Sequence, residues 1–275
     1  MTEKTVVIDD STSWDSVRNP TIDGQRMDCK SFGMFSPGFA DDQVPEGCAG
    51  TFDDLESVPL IPESEWPDRI RQMEIDKTRL IDHAHDAKMA IRNQKRSSSC
   101  WGFGVARGIE YRLLTQGNQQ YISPFSITAP VNGWRDRGGW GDSALKFAAT
   151  SGYNLADEWP CESGWQRNFR DYYTAENKAV AKKRVVLEWY KLKSGRAGWG
   201  QVVSCILAGH SVPAGFNHWG HLVDLTWLTQ DLGAGFDNSW GPGYGGEGIM
   251  AGRGILKGRK KYPDGAVVIT SVRPF

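Results

Sequence analysis

The chain has 275 residues, enough for one large or two small domains, and a formal charge of −1. That balance gives no ground for a nucleic-acid partner, and the basic runs Lys182-Lys183-Arg184 and Lys257-Gly258-Arg259-Lys260-Lys261 are expected to be solvated faces, the second with room for a partner patch. No stretch approaches the length of a membrane span.

Residues 1–66 are rich in Asp, Ser, Gly and Pro, with isolated hydrophobic groups at Val6-Val7-Ile8, Met34-Phe35 and Leu60-Ile61, and read as an extended arm without its own core. The first residues lack the apolar core of a signal peptide, so a cytoplasmic protein, or one built into an assembly there, is expected. Residues 67–86 predict a connecting helix with Ile70, Met73, Leu80 and Ile81 on one side. His83 and His85, two apart, cannot share a helix face and read as surface residues, not metal ligands. Phe103, Ala106, Ile109, Leu113 and Leu114 predict a helix over 101–116, stopped by Gly117. Further helices are predicted from Asp142 to Ala149, closed by Gly152, and over 172–192, with Ala181, Val185, Val186, Trp189 and Tyr190 on its apolar side. A helix after Gly200 carries Cys205 in its apolar face, and His210 follows at its end, where a cation suits the helix dipole. Strands are predicted at 212–216, 221–228, 234–240, 247–251 and 266–272. Helices first and strands last give an α+β class. The twelve Trp residues fit either core or rim.

The five cysteines, at 29, 48, 100, 161 and 205, show no Cys-x-x-Cys pair and no repeated spacing, so neither a zinc site nor a disulfide framework follows; a Cys29–Cys48 pair is left open. Cys100 is the one placed for chemistry. It falls in the first turn of the 101–116 helix, where unpaired N–H groups favour an anion, and Ser97, Ser98 and Ser99 before it predict an accessible turn. Gln94, six residues upstream, can swing its amide N–H toward the carbonyl oxygen addressed by the Cys100 N–H, and two such donors make an oxyanion hole. The base must come from elsewhere. His221 opens an apolar strand, and the antiparallel neighbour that carries Asn238 would bring an amide beside the imidazole to hold one tautomer. His218 is the alternative base; in a strand it would point to the opposite face, and it reads as a rim residue.

Asn93-Gln94, Cys100-Trp101-Gly102-Phe103 and Asn238-Ser239-Trp240-Gly241, with the Gly-rich run 242–248 behind it, resemble the active-site segments of papain-like cysteine peptidases. Gly138-Gly139-Trp140-Gly141-Asp142 resembles that family's Gly-Gly loop. The resemblance covers roughly residues 87–275 and implies a two-lobed α+β fold, a helical lobe over about 87–195 and an antiparallel β lobe over about 196–275, with the cleft between them. It implies peptide-bond hydrolysis by Cys100, His221 and Asn238 through an acyl-enzyme, on a peptide or protein substrate, with no metal or organic cofactor. It also implies that Gly138 and Gly139 line the cleft, Trp240 shields the His221–Asn238 bond and Leu222 helps floor the main specificity pocket.

Two departures stand out. Where secreted members of the family tie the nucleophile loop to the Gly-Gly loop by a disulfide, the corresponding positions here are Ser97 and Asp136. The connection from Val212 to Gly220 is also much shorter than the family's, which should reshape one wall of the cleft. Compact sequences of this kind resemble papain-related proteins of tailed bacteriophages and bacteria. The alternative expectation is therefore a structural subunit of a virion or other assembly, with residues 1–66 wrapping a neighbour or acting as an inhibitory segment.

Overall fold

The computed structural model describes residues 6–13, 45, 47–241 and 252–273, together with the backbone of 21–22 and 25–26. In chain order the strands are β1 (Val6–Ile8), β2 (Thr21–Ile22), β3 (Gln25–Arg26), β4 (Gly50–Thr51), β5 (Val186–Leu192), β6 (Val212–Phe216), β7 (His221–Leu228), β8 (Ala234–Asp237), β9 (Arg253–Leu256) and β10 (Gly265–Val272). The helices are α1 (Trp66–Asp76), α2 (Leu80–Asp86), α3 (Cys100–Thr115), α4 (Pro124–Val131), α5 (Gly141–Thr150), α6 (Ala175–Ala181) and α7 (Gly195–Leu207). Eight strands form one sheet in the order β1-β9-β8-β7-β6-β10-β5-β4, antiparallel through the middle, with β1 and β4 added parallel at its two edges.

α3 packs on β7, β10 and β6 and sits at the centre of the core. Three glycines let it come so close. A methyl group on Gly104 would fall 2.1 Å from Leu222 Cδ2, one on Gly108 2.7 Å from Pro213 Cγ, and one on Gly102 2.1 Å from Thr128 Cγ2 of α4. Each glycine costs roughly 1 kcal/mol of helix propensity, which burial of the helix on nearly every side offsets. Trp101, Trp159, Trp189, Trp219 and Trp240 are all fully buried, whereas Trp140 on the Gly-Gly loop is exposed. The expected α+β class is present, and the short β6–β7 connection is a tight turn over residues 217–220.

Several expectations are corrected. The single helix over 67–86 is two, because Lys77 adopts a left-handed φ of 54° and breaks the run between α1 and α2. The helix over 172–192 is α6 followed by β5, so a sheet strand lies inside the stretch assigned to the helical lobe. Residues 253–256 form the unforeseen β9, and α4 is a further unpredicted helix; the 247–251 strand lies outside the described residues. His210 is no end-of-helix cation. Burial and the nearby Arg112 guanidinium push its imidazole down to about 4.

The arm is also more than an arm. Its described pieces β1 and β4 cap both edges of the chain's own sheet. The basic run 257–261 holds the first of them in place. Lys257 N donates to Ile8 O at 2.8 Å, Arg259 N to Asp10 Oδ1 at 2.9 Å, and the buried Lys260 ammonium to the carbonyls of Asp9 and Thr12. That run is therefore a clasp and not the solvated face its charge suggested. Cys48 carries a free thiol bonded to the Gly50 carbonyl at 3.1 Å; Cys29 and Met34-Phe35 lie outside the described residues.

Candidate active site

Cys100 is the first residue of α3 and His221 the first of β7, two elements that pack together, with Leu222 seated on Gly104 one turn along from Cys100. Cys100, His221 and Gln94 are fully buried. Ser97 and Ser99 are buried too, which corrects the accessible turn expected from the serine run. Their packing is explained by neighbours: Gln94 Nε2 donates to Ser97 O at 2.7 Å, and Thr128 Oγ1 lies 3.5 Å from Ser99 Oγ.

Asn238 follows directly on β8, where the β7–β8 pairing brings it to His221, and its Oδ1 lies 2.8 Å from His221 Nε2. The same Oδ1 accepts from Ser239 N at 2.8 Å, and a backbone N–H can only donate, so this atom is the amide oxygen. An amide oxygen can only accept, so Nε2 carries the proton and Nδ1 keeps its lone pair. Burial pushes the imidazole down to about 4, against a smaller opposing pull from the Asn238 bond, so the ring is neutral at pH 7. The indole of Trp240 lies against it at 4.6 Å between ring centres and that of Trp219 at 4.9 Å. Trp219 escaped the sequence reading, although its place two residues before His221 in a tight turn was a usable signal.

Gln94 is fixed from both ends. Its N–H donates to Ser239 O at 2.6 Å, and its Oε1 accepts from Ser239 Oγ at 2.5 Å, which leaves Nε2 directed at Ser97 O with a second amide proton to spare. Asn93 pairs with Trp240 in an antiparallel bridge, and Gly241 N donates to Arg92 O at 2.8 Å. Ser239 thus joins the Gln94 segment to the Asn238 segment, a role that its place in Asn-Ser-Trp-Gly did not disclose. Gly138 and Gly139 are buried, and a methyl group on Gly139 would fall 2.5 Å from the Trp101 ring, so that loop rests on the start of α3. Where the disulfide is missing, Ser98 N donates to Asp136 Oδ1 at 2.8 Å. The tie between the two loops survives as a hydrogen bond. His218 sits in the 217–220 turn, not in a strand, with Nδ1 3.7 Å from Asp264 Oδ2.

The burial of His221 has a measurable cost in acid. Its pKa is about 4 when folded against 6.5 when unfolded, so between these values the unfolded chain takes up the proton first and stability is lost as pH falls from 6.5 to 4. The shift corresponds to about 3 kcal/mol. His210 acts with the same sign, and Asp224, a buried carboxyl pushed well above its usual range, with the opposite sign. Denaturant titrations of wild type and His221→Gln at pH 7 and pH 4 isolate the term. The stability difference between them should shift by about 3 kcal/mol in favour of the variant at pH 4, and an unchanged difference would refute the buried neutral imidazole.

Among the described residues no cluster of His, Cys, Asp and Glu could hold a metal, and no helix is long and apolar enough to cross a membrane. No model of a known protein family matches the sequence, and neither does any curated protein. Solved structures do match. Xylellain, a cysteine protease from Xylella fastidiosa, superposes with a TM-score of 0.57 at 14% identity over 88% of this chain and 97% of its own. Digestive procathepsin L 3 of Tenebrio molitor larval midgut gives 0.52 at 16% identity over 65% of each chain, so the match spans less than two thirds of that protein. The fold is papain-like. The bromelain protease from Ananas comosus gives 0.52 at 13% identity over 66% of this chain and 94% of its own. At such identities the papain-like likeness fixes the architecture alone.

Proposed function

We propose that the protein is a cysteine peptidase in which Cys100, His221 and Asn238 act as nucleophile, base and orienting amide. The observation that carries this reading is the His221–Asn238 pair. A neutral imidazole is held with its proton on Nε2 and its lone pair on Nδ1, at the start of a strand packed along the helix that Cys100 opens.

The Cys100 thiol passes its proton to His221 Nδ1 as Sγ attacks the peptide carbonyl carbon. The oxyanion is met by the Cys100 N–H at the start of α3 and by the second amide proton of Gln94. His221 then returns the proton to the leaving amine, which departs and leaves a thioester on Cys100. His221 next takes a proton from the water that attacks the thioester carbonyl, the C–S bond breaks to release the carboxylic acid, and the proton passes back to Sγ. Asn238 Oδ1 stabilises the imidazolium in both steps, Trp240 and Trp219 keep water from that bond, and the backbone of Gly138 and Gly139, which rests on Trp101, would pair with an extended peptide. Leu222, buried against Gly104 of α3, would line the specificity pocket from that seat.

Intact mass after treatment with an epoxide inhibitor of papain-like enzymes, under mild reduction, tests the reading. Wild type should gain one adduct, mapped to Cys100, that is missing in Cys100→Ala and forms at least about 100-fold more slowly in His221→Ala. A folded wild type that gains no adduct, or one that reacts equally fast without His221, would contradict it.

A further inference from the structure

Beneath the site lies a cluster of buried charges that the sequence reading did not single out. Glu110 of α3 accepts from Arg92 Nη1 at 3.1 Å through Oε1 and from Arg107 Nη1 at 2.9 Å through Oε2. Arg107 Nε reaches Asp237 Oδ2 at 3.0 Å, where Tyr111 OH also donates at 2.8 Å, and Arg253 Nε holds Asp237 Oδ1 at 2.7 Å. The side chains of Glu110 and Asp237 are almost wholly buried, and those of Arg92 and Arg107 nearly so. Backbone groups complete the shell: Arg92 Nη2 donates to Ile122 O, Arg107 Nη2 to Ala90 O and Ile122 N to Glu110 Oε1.

Burying ions in this way rarely adds stability over a well-packed apolar cluster, because desolvation cancels most of the attraction. What such groups do supply is registration, since charge-assisted bonds tolerate little displacement. The attachment points here are telling. Arg92 stands two residues before Gln94, Asp237 is the residue before Asn238, and Arg107, Glu110 and Tyr111 lie on the helix whose first residue is Cys100. Asn238 has local backbone support in its bond to Gly252 O at 2.8 Å, but nothing in that bond refers it to α3.

We propose that Arg92, Glu110, Arg107 and Asp237 form a positioning chain that refers the oxyanion amide and the orienting amide to the helix of the nucleophile. This rests on the peptidase reading of the site above. Glu110 is the hub, because it links Arg92 to Arg107 and so joins the Gln94 segment to the Asp237 end of the cluster. Loss of its charge should let the Gln94 and Asn238 segments drift relative to Cys100, and a misplacement on the order of 1 Å costs about 100-fold in rate.

The test uses Glu110→Gln, which keeps size and removes charge, and it reads three quantities: the Cys100 alkylation rate by the epoxide, kcat against KM on an unfolded protein substrate, and the downfield proton resonance of His221 Nε2–H. A variant with wild-type circular dichroism should be alkylated about 10- to 100-fold more slowly, lose kcat by the same factor with KM within about twofold, and show the Nε2–H resonance broadened or lost. A folded variant with wild-type rates and an unchanged resonance overturns the proposal. Should Glu110→Gln fail to fold, Tyr111→Phe removes one bond to Asp237 and should slow alkylation about fivefold; wild-type rates in that variant would overturn the proposal as well. A wild type that shows the resonance but never reacts at Cys100 would remove the peptidase reading alone, and the positioning chain would then stand or fall on whether Glu110→Gln, or Tyr111→Phe in its place, disturbs that resonance.

Discussion

Cys100→Ala should abolish peptide hydrolysis, lowering turnover by at least about 10⁴-fold, while leaving the protein folded. No other described thiol is suited to replace it. Burial pushes Cys161 up to about 11 and Cys205 higher still, and burial also raises Cys48, so none of the three offers a thiolate near neutral pH. The structural price is small: one buried sulfur is lost at the start of α3, worth about 1 kcal/mol against a core that holds the helix on β7, β10 and β6. Turnover of a fluorogenic peptide and the denaturation midpoint, measured on one preparation, check both halves. Retained turnover in the variant would end the peptidase reading.

The second large effect concerns the fold. Gly152→Ala is expected to destabilise the protein by about 3 kcal/mol or more and lower its denaturation midpoint accordingly. Gly152 ends the turn after α5 with φ of 80°, a conformation that costs an L-residue about 1 kcal/mol. Space is the harsher constraint. A methyl group there would fall 1.9 Å from the Ala181 carbonyl oxygen at the end of α6 and 2.7 Å from that of Arg184, and backbone cannot move aside as a side chain can. Tyr153 N bonds Arg184 O at 3.2 Å, so the two segments are already pinned together. A midpoint within the error of wild type would mean that this junction is loose.

The residues that carry the proposed chemistry were legible because each sits beside punctuation that the sequence displays. Cys100 opens an apolar helical run, His221 an apolar strand, and Asn238 follows a strand that must return beside it. What failed had a physical cause in each case. Residues 186–192 read as helix because β5 does not alternate cleanly: Trp189 and Tyr190 are buried in succession, and the pairing with β10 slips around Ser271, opposite Glu188. Tyr190 OH and Thr270 Oγ1 hold the Glu188 carboxylate at that irregularity, a contact that no local pattern can reveal. The serine run looked exposed because hydroxyls usually are, yet Ser97 and Ser99 are covered by groups more than twenty residues away or held by Gln94. The run 257–261 looked solvated because the groups that its buried Lys260 meets, the carbonyls of Asp9 and Thr12, are uncharged and lie far away in sequence. Arg92, Glu110, Arg107 and Asp237 were invisible for the same reason: their meeting depends on β8 and the 89–94 segment both reaching α3.

The pairing of Val6 with Gly254 and of Ile8 with Leu256 ties together parts of the chain separated by almost its whole length. Contacts of such range cannot form until most of the polypeptide exists, and closing so long a loop is paid for before the contact repays it. During synthesis β1 is made long before its partner β9, so this edge of the sheet is completed late, when the β6–β7–β8 meander that carries His221 has already been made.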